Sequence, residues 1–307
     1  MVVVAIVFVS IAWTLRSQWQ AFKNAKFTGH PDWTCIGLSG LVVLATYALL
    51  VEVWRRIVAE WHARISFADA ARIWCVSNLG KYVPGKIWQI IAMGKMAEAL
   101  EVPPVAAGGS AILSTAINIA MGCVVAVVAG WSALDSMTQG HAALGIVLAV
   151  LIVGGVLLLP MILPLTLRAF ERLTGRSLQL GDLPRRAVYI AIVGNVVAWV
   201  MYGWSFELFV HGVLGTPQGT LSQYTAAYAL SYVIGYLVFL IPGGIGPREA
   251  ALIVSLKTIG LNAKDAAVVA VTSRLWLTLL ELVPGLIYLA LQARRTKTSI
   301  PRDGTKL

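Results

Sequence analysis

Long uninterrupted apolar runs alternate with short polar connections along most of the chain. Five runs each exceed the roughly 20 residues needed to cross the hydrocarbon of a bilayer: Trp33 to Val53, Val105 to Trp131, Ala142 to Leu165, Ala187 to Phe209 and Ala266 to Leu291. The pattern predicts a membrane-spanning helix over each. The N-terminal run MVVVAIVFVSIAWTL is shorter, and it lacks the basic n-region and small-residue cleavage site of a signal peptide. It reads either as a first span that continues amphipathically through RSQWQAF or as a span whose start precedes Met1.

Two further apolar stretches are interrupted. Phe67 to Leu100 is broken at Pro84-Gly85, and Leu221 to Leu261 at Pro242-Gly243-Gly244, with Gly246 just beyond. Proline ends a helix and glycine permits the turn that follows. Each stretch therefore predicts two half-helices rather than one crossing.

Charge placement orients these elements. Basic residues gather at Arg55, Arg56, Arg64 and Arg72, at Arg168, Arg172, Arg176, Arg185 and Arg186, and in the tail from Arg294 to Lys306. The connections Ser132 to His141 and Gly212 to Ser222 contain no Lys or Arg. The positive-inside rule puts the first set in the cytoplasm and the second outside. The last span then starts outside, so the stretch before it begins and ends on the outer side and must be a re-entrant hairpin. The same count makes Phe67 to Leu100 a hairpin entering from the cytoplasm. The expected fold is all-α and polytopic, with about six full spans, two re-entrant broken-helix hairpins and both termini cytoplasmic.

The two hairpins can be laid over each other. Gly80 matches Gly235, Pro84-Gly85 matches Pro242-Gly243, and Ile87 matches Ile245. A single membrane domain over 1–307 thus divides into a first repeat, 33–166, a second, 187–291, and a basic cytoplasmic tail, 293–307. Because one hairpin enters from each face, the repeat is inverted, a common transporter plan in which the ligand sits where the broken helices meet.

Composition narrows the chemistry. The chain is 58% hydrophobic and 12% charged with a net charge of +10, against roughly a quarter charged in a soluble domain. The basic residues flank spans, so their expected partner is the anionic surface of the bilayer and not nucleic acid. Tryptophans near span ends, Trp33, Trp54, Trp61 and Trp131, fit an interfacial belt. Cys35, Cys75 and Cys123 show no CxxC spacing and the four histidines no metal-binding spacing, so neither metal nor cofactor is expected. Nucleotide-binding and hydrolase signatures are also missing from the sequence, so the expectation is not an enzyme.

The charges set inside apolar surroundings are the candidate site. Lys81 and Lys86 flank the first break, Arg248 and Glu249 follow the second, and Arg274 lies inside the last span with Glu281 seven residues on, on the same helix face. Intramembrane ionisable residues are functional candidates. Half-helix N-termini with their unpaired N–H groups suit an anion, and lysine and arginine suit phosphate. Two readings stand beside each other. In one, Lys86, Arg248 and Arg274 face an anionic ligand, with Asn118 as a polar neighbour and Tyr82, Trp88 and Gln89 along the wall. In the other, Lys86 snorkels, Arg248 pairs with Glu249, and Arg274 and Glu281 belong to an internal ion-pair network.

The motifs SNLGKYVPGKIWQ and PGGIGPREAAL, in that order and half a chain apart, resemble the paired signatures of the lysylphosphatidylglycerol synthase transmembrane family, the flippase-like domain also found in the multiple peptide resistance factors. The resemblance implies an inner-membrane protein that moves a lipid or lipid-linked precursor between leaflets. By position it assigns Asn78, Gly80, Lys81, Pro84, Gly85 and Lys86, then Pro242, Gly243, Gly244, Gly246, Arg248 and Glu249. The residues after Leu291 could not transfer an amino acid from tRNA, so aminoacyl transfer is not carried over. The expectation is a translocase of an anionic phospholipid or polyprenyl-phosphate precursor. The alternative is a non-transporting scaffold that docks a glycolipid or polysaccharide biosynthesis enzyme on its basic loops.

Overall fold

The computed structural model describes residues 16, 31–82, 87–131, 147, 149–158, 184–215, 218–238 and 244–298. Every regular element among them is helical. Helices α1 (Trp33–Ala59), α2 (Phe67–Asn78), α3 (Ile87–Glu98) and α4 (Pro104–Ala129) form the first half. Helices α5 (Arg185–Leu214), α6 (Leu221–Leu237), α7 (Pro247–Ile259) and α8 (Ala263–Thr298) form the second. One 3-10 turn, Leu79–Tyr82, extends α2.

Among the described residues, four helices are long and apolar enough to cross a membrane: Trp33–Ala59, Ala106–Ala129, Arg185–Leu214 and Ala263–Ala290. They coincide with four of the five runs read from the sequence. Of the fifth, only a short apolar helix, Ala149–Leu158, is among the described residues. The N-terminal run, the basic cluster from Arg168 to Arg176, and the break residues Pro84, Gly85, Lys86, Pro242 and Gly243 lie outside the described residues. Many apolar side chains stay exposed on the long helices, such as Leu41 on α1 and Val193 on α5, as expected of surface that meets lipid rather than water. The chain is a multi-pass membrane protein.

Local sequence starts and stops the helices. Asp32 caps α1 by accepting from the Thr34 and Cys35 amides. Ser66 caps α2 through the Asp69 amide, and Thr220 with Gln223 forms a capping box on α6. Past the second break, Gly244 and Gly246 have φ of +68° and +96°, a left-handed backbone that glycine adopts without a Cβ clash. Pro247 then opens α7 at its first turn.

The core is built on close helix crossings. Helix α1 packs along α5, where Gly194 lies against Val53 and Gly212 against Ile36, and the Ser39 and Ser205 hydroxyls bond at 3.0 Å. Small residues let backbones approach where lipid supplies no hydrophobic drive between helices. The remaining principal packings are α1 on α2, α5 on α6, α2 on α3, α6 on α7, α3 on α4, α7 on α8, α4 on α6, α8 on α2, α4 on α5, α8 on α1, α1 on α4 and α5 on α8. Trp54 corrects an expectation. It is 2% exposed, and its indole N–H donates to Ser110 at 3.0 Å on α4, so it belongs to the core and not to an interfacial belt.

Candidate functional site

Helices from both halves enclose one polar cavity of about 160 Å³. The 3-10 turn and the start of α3 bring Lys81 and Gln89 to its wall, and α2 brings Asn78. Helix α4 contributes a stripe at helical spacing, Ala111, Ser114, Thr115 and Asn118, and α5 another, Asn195, Trp199 and Tyr202. Arg248 comes from α7, and Arg274 and Glu281 from α8. Six of the eight candidate binding residues, Asn78, Lys81, Asn118, Arg248, Arg274 and Glu281, thus meet in one place although they are spread over some 200 positions of sequence. Glu249 stands behind Arg274, and Lys86 lies outside the described residues.

Each charge has a defined setting. Glu281 pairs with Lys81 and accepts from the Tyr82 hydroxyl at 2.9 Å. Glu249 uses one oxygen to accept from the Gly246 amide at 2.5 Å and the other to meet Arg274 at 3.5 Å. This corrects the expected neighbour pair of Arg248 with Glu249: consecutive residues on a helix point about 100° apart, so they cannot face the same partner. It also alters the expected anion site at the start of α7, because the helix supplies its own carboxylate there. Arg274 is 7% exposed, holds an ion pair with Glu249 and lines the cavity.

Arg248 is held differently. Its guanidinium lies 5.3 Å from the ring centres of both Tyr228 and Tyr232. Aromatic rings attract a cation through the negative potential of their faces, which holds the guanidinium at the cavity wall. Gly235 makes the arrangement possible, since a Cβ there would sit 2.7 Å from the Arg248 Cβ. Gly80 does the equivalent in the other helix pair, where a Cβ would sit 2.7 Å from the Gln89 backbone nitrogen. Beside it, Gln89 donates to Asn78 at 2.5 Å.

Of the remaining expectations, Tyr82 is buried behind the cavity at Glu281 and Trp88 is 37% exposed, so neither lines it, whereas Gln89 does. Asn118 donates to Asn195 at 2.7 Å and accepts at its carbonyl from Trp199 at 3.0 Å.

The aromatic wall was missed in the sequence. Tyr47, Trp74, Trp199, Tyr202, Tyr228, Tyr232 and Tyr236 all reach the cavity, with Tyr202 and Tyr228 stacked at 5.6 Å and Trp199 edge-on to Tyr232 at 5.2 Å. A signal was present: Tyr224, Tyr228, Tyr232 and Tyr236 recur every fourth residue along α6. That spacing keeps side chains on one side of a helix.

The arrangement can desolvate and hold a small polar group, with cations, amide side chains and hydroxyls converging and aromatic faces excluding water. A family model described as lysylphosphatidylglycerol synthase TM region matches residues 1–285 of the chain. No curated protein and no solved structure matches it.

Proposed function

The chain belongs to the lysylphosphatidylglycerol synthase TM region family, and on that premise we propose that it translocates a lipid, taking an anionic headgroup into the cavity while the apolar chains stay in the bilayer. The observation that carries this reading is the cavity itself. A polar, arginine-bearing chamber among apolar spans is costly to maintain, and it gathers residues from both interrupted stretches. The protein acts as a carrier rather than an enzyme and sits in the inner membrane with both termini cytoplasmic.

Alternating access follows from an inverted repeat of six spans and two re-entrant hairpins. Helices α2, α3 and α7 have 12, 12 and 13 residues, about 18–20 Å at 1.5 Å per residue, short of the roughly 30 Å of hydrocarbon. Exchanging α1 with α5, α2 with α6, α3 with α7 and α4 with α8 leaves the α1–α5 packing as it is and turns every other principal helix packing named above into another of the same set. Gly80 and Gly235, matched in sequence, are each the close-approach point of their helix pair. These observations support a pseudo-two-fold relation, and rocking of one repeat against the other would open the cavity to either leaflet.

The test is reconstitution of the full chain into vesicles containing tail-labelled phosphatidylglycerol, with membrane-impermeant dithionite added outside. Translocation makes label from the inner leaflet accessible, and Arg248→Ala slows it at least about tenfold. Bleaching no faster than in protein-free vesicles refutes the proposal.

A further inference from the structure

Two crossings that the exchange of halves makes counterparts, α4 on α5 and α8 on α1, are built alike and closed differently. In each, a tryptophan indole lies over a glycine of the facing helix. A Cβ on Gly122 would sit 2.8 Å from the Trp199 ring, and one on Gly40 would sit 2.6 Å from the Trp276 ring. Hydrogen bonds latch the first crossing, where the Trp199 N–H donates to the Asn118 carbonyl at 3.0 Å and the Asn118 amide to Asn195 at 2.7 Å. In the second, the Trp276 N–H is buried with no hydrogen-bond partner among the described residues. A buried donor left unpaired raises the energy of the closed crossing, and parting the helices lets it find an acceptor.

Beside this crossing lies an apolar groove of about 570 Å³. Trp276, Leu280, Val283 and Ile287 follow one face of α8 along it, with Leu44 on α1. From Trp276 to Tyr288 the groove runs about 18 Å at 1.5 Å per residue, close to the depth of one leaflet, half of the roughly 30 Å of hydrocarbon. A void of about 10 Å³, room for about one water, shares Trp276 with the groove and Tyr202 and Tyr228 with the polar cavity. Serine hydroxyls from three helices, Ser39, Ser205 and Ser273, line that void. Pro284, inside α8 and on the groove, cannot make the backbone bond to the Leu280 carbonyl and gives the helix a place to bend.

We propose that lipid passes sideways between α1 and α8, with one hydrocarbon chain held in the groove and Trp276 displaced as the headgroup moves between bilayer and cavity. This rests on the translocase reading and gives the tail of its substrate a site. The groove is apolar over the length of one leaflet, and the polar void joins its Trp276 end to a polar cavity. A molecule with a polar end and a hydrocarbon end matches both. The latched α4–α5 crossing stays shut while the α1–α8 crossing opens.

The experiment uses full-chain protein in vesicles containing phosphatidylglycerol with a diazirine in one acyl chain. Irradiation and peptide mapping are expected to place more label on Leu44 and on the groove face of α8 than on Val193 of α5. Bulk lipid would label in the opposite order, since Val193 is 63% exposed and Leu44 38%. In the dithionite assay, filling the groove with Leu44→Trp slows translocation about tenfold, whereas Val193→Trp leaves it unchanged. Ile287→Trp repeats the test at the far end of the groove should Leu44→Trp fold poorly. Label that follows exposure alone, or translocation that responds alike to all three variants, overturns the tail site and leaves translocation standing. So does a groove kept unlabelled by another segment of this chain or by a second copy. No translocation by the wild-type protein overturns the translocase reading, and the sideways path falls with it.

Discussion

The two interrupted helix pairs share a plan and differ in what they do with their charge. In the first, α2 and α3 meet at Gly80, Asn78 and Gln89 tie the halves together, and Lys81 is taken up by Glu281 on α8. In the second, α6 and α7 meet at Gly235, Glu249 reaches across to Arg274 on the same face of α8, and Arg248 rests on tyrosine rings. Both pairs are thus anchored to α8 by an ion pair, at positions about 10 Å apart along its axis. Among the described residues lining the cavity, the second pair adds a cation, Arg248, beyond its anchor. On the proposed function, the first pair is a tether and the second is the binding half. One backbone plan can therefore carry two jobs when a single side chain, arginine on an aromatic shelf, is added to it.

Substitutions can break or sharpen that contrast. The largest stability effect is expected from Glu281→Ala, which leaves the Lys81 ammonium and Tyr82 hydroxyl without their partner and costs about 3 kcal/mol in thermal unfolding of the purified protein. Glu249→Ala costs less, about 2 kcal/mol, because its contact with Arg274 is longer, at 3.5 Å. A larger loss at Glu249 than at Glu281 would reverse the assignment of tether and binding half.

Next come the paired glycines. In Gly80→Ala the new methyl meets α3 backbone, which cannot move aside, and about 2 kcal/mol is lost. In Gly235→Ala it meets the Arg248 Cβ, which the α7 backbone fixes, so about 2 kcal/mol is lost here too while transport falls more than in Gly80→Ala. Melting temperature and dithionite accessibility on the same two proteins separate the two effects. Tyr232→Leu removes one ring from the shelf and weakens the hold on Arg248 by about 1 kcal/mol, read as weaker lipid binding.

Much of this was legible in the sequence because membrane insertion is a severe constraint. Runs such as Trp33 to Val53 have few alternatives to a spanning helix, and Pro-Gly breaks with flanking charge point to irregular backbone at depth. Membership of the family and the gathering of Lys81, Arg248, Arg274 and Glu281 at one cavity accord with that reading. What could not be read was pairing. Glu249 follows Arg248 in sequence, yet helix geometry sends it to Arg274, and only the packing of α7 on α8 decides this. Aromatic residues were the other blind spot. Trp54 looks like a belt residue from its place near a span end, but its N–H finds Ser110 in the core. The tyrosines of α6 were hidden because a period of four among other apolar residues gives no polar contrast, and Asn195 was hidden because its partner, Asn118, lies 77 positions away.

The central claim is that Arg248 holds an anionic lipid headgroup in the cavity. Native mass spectrometry of the purified protein with its co-purified lipids tests it most directly, comparing the wild type with Arg248→Gln. The account predicts one anionic lipid retained by the wild type and lost from the variant, with both proteins folded. Equal retention in both, or no selective lipid on the wild type, would contradict it.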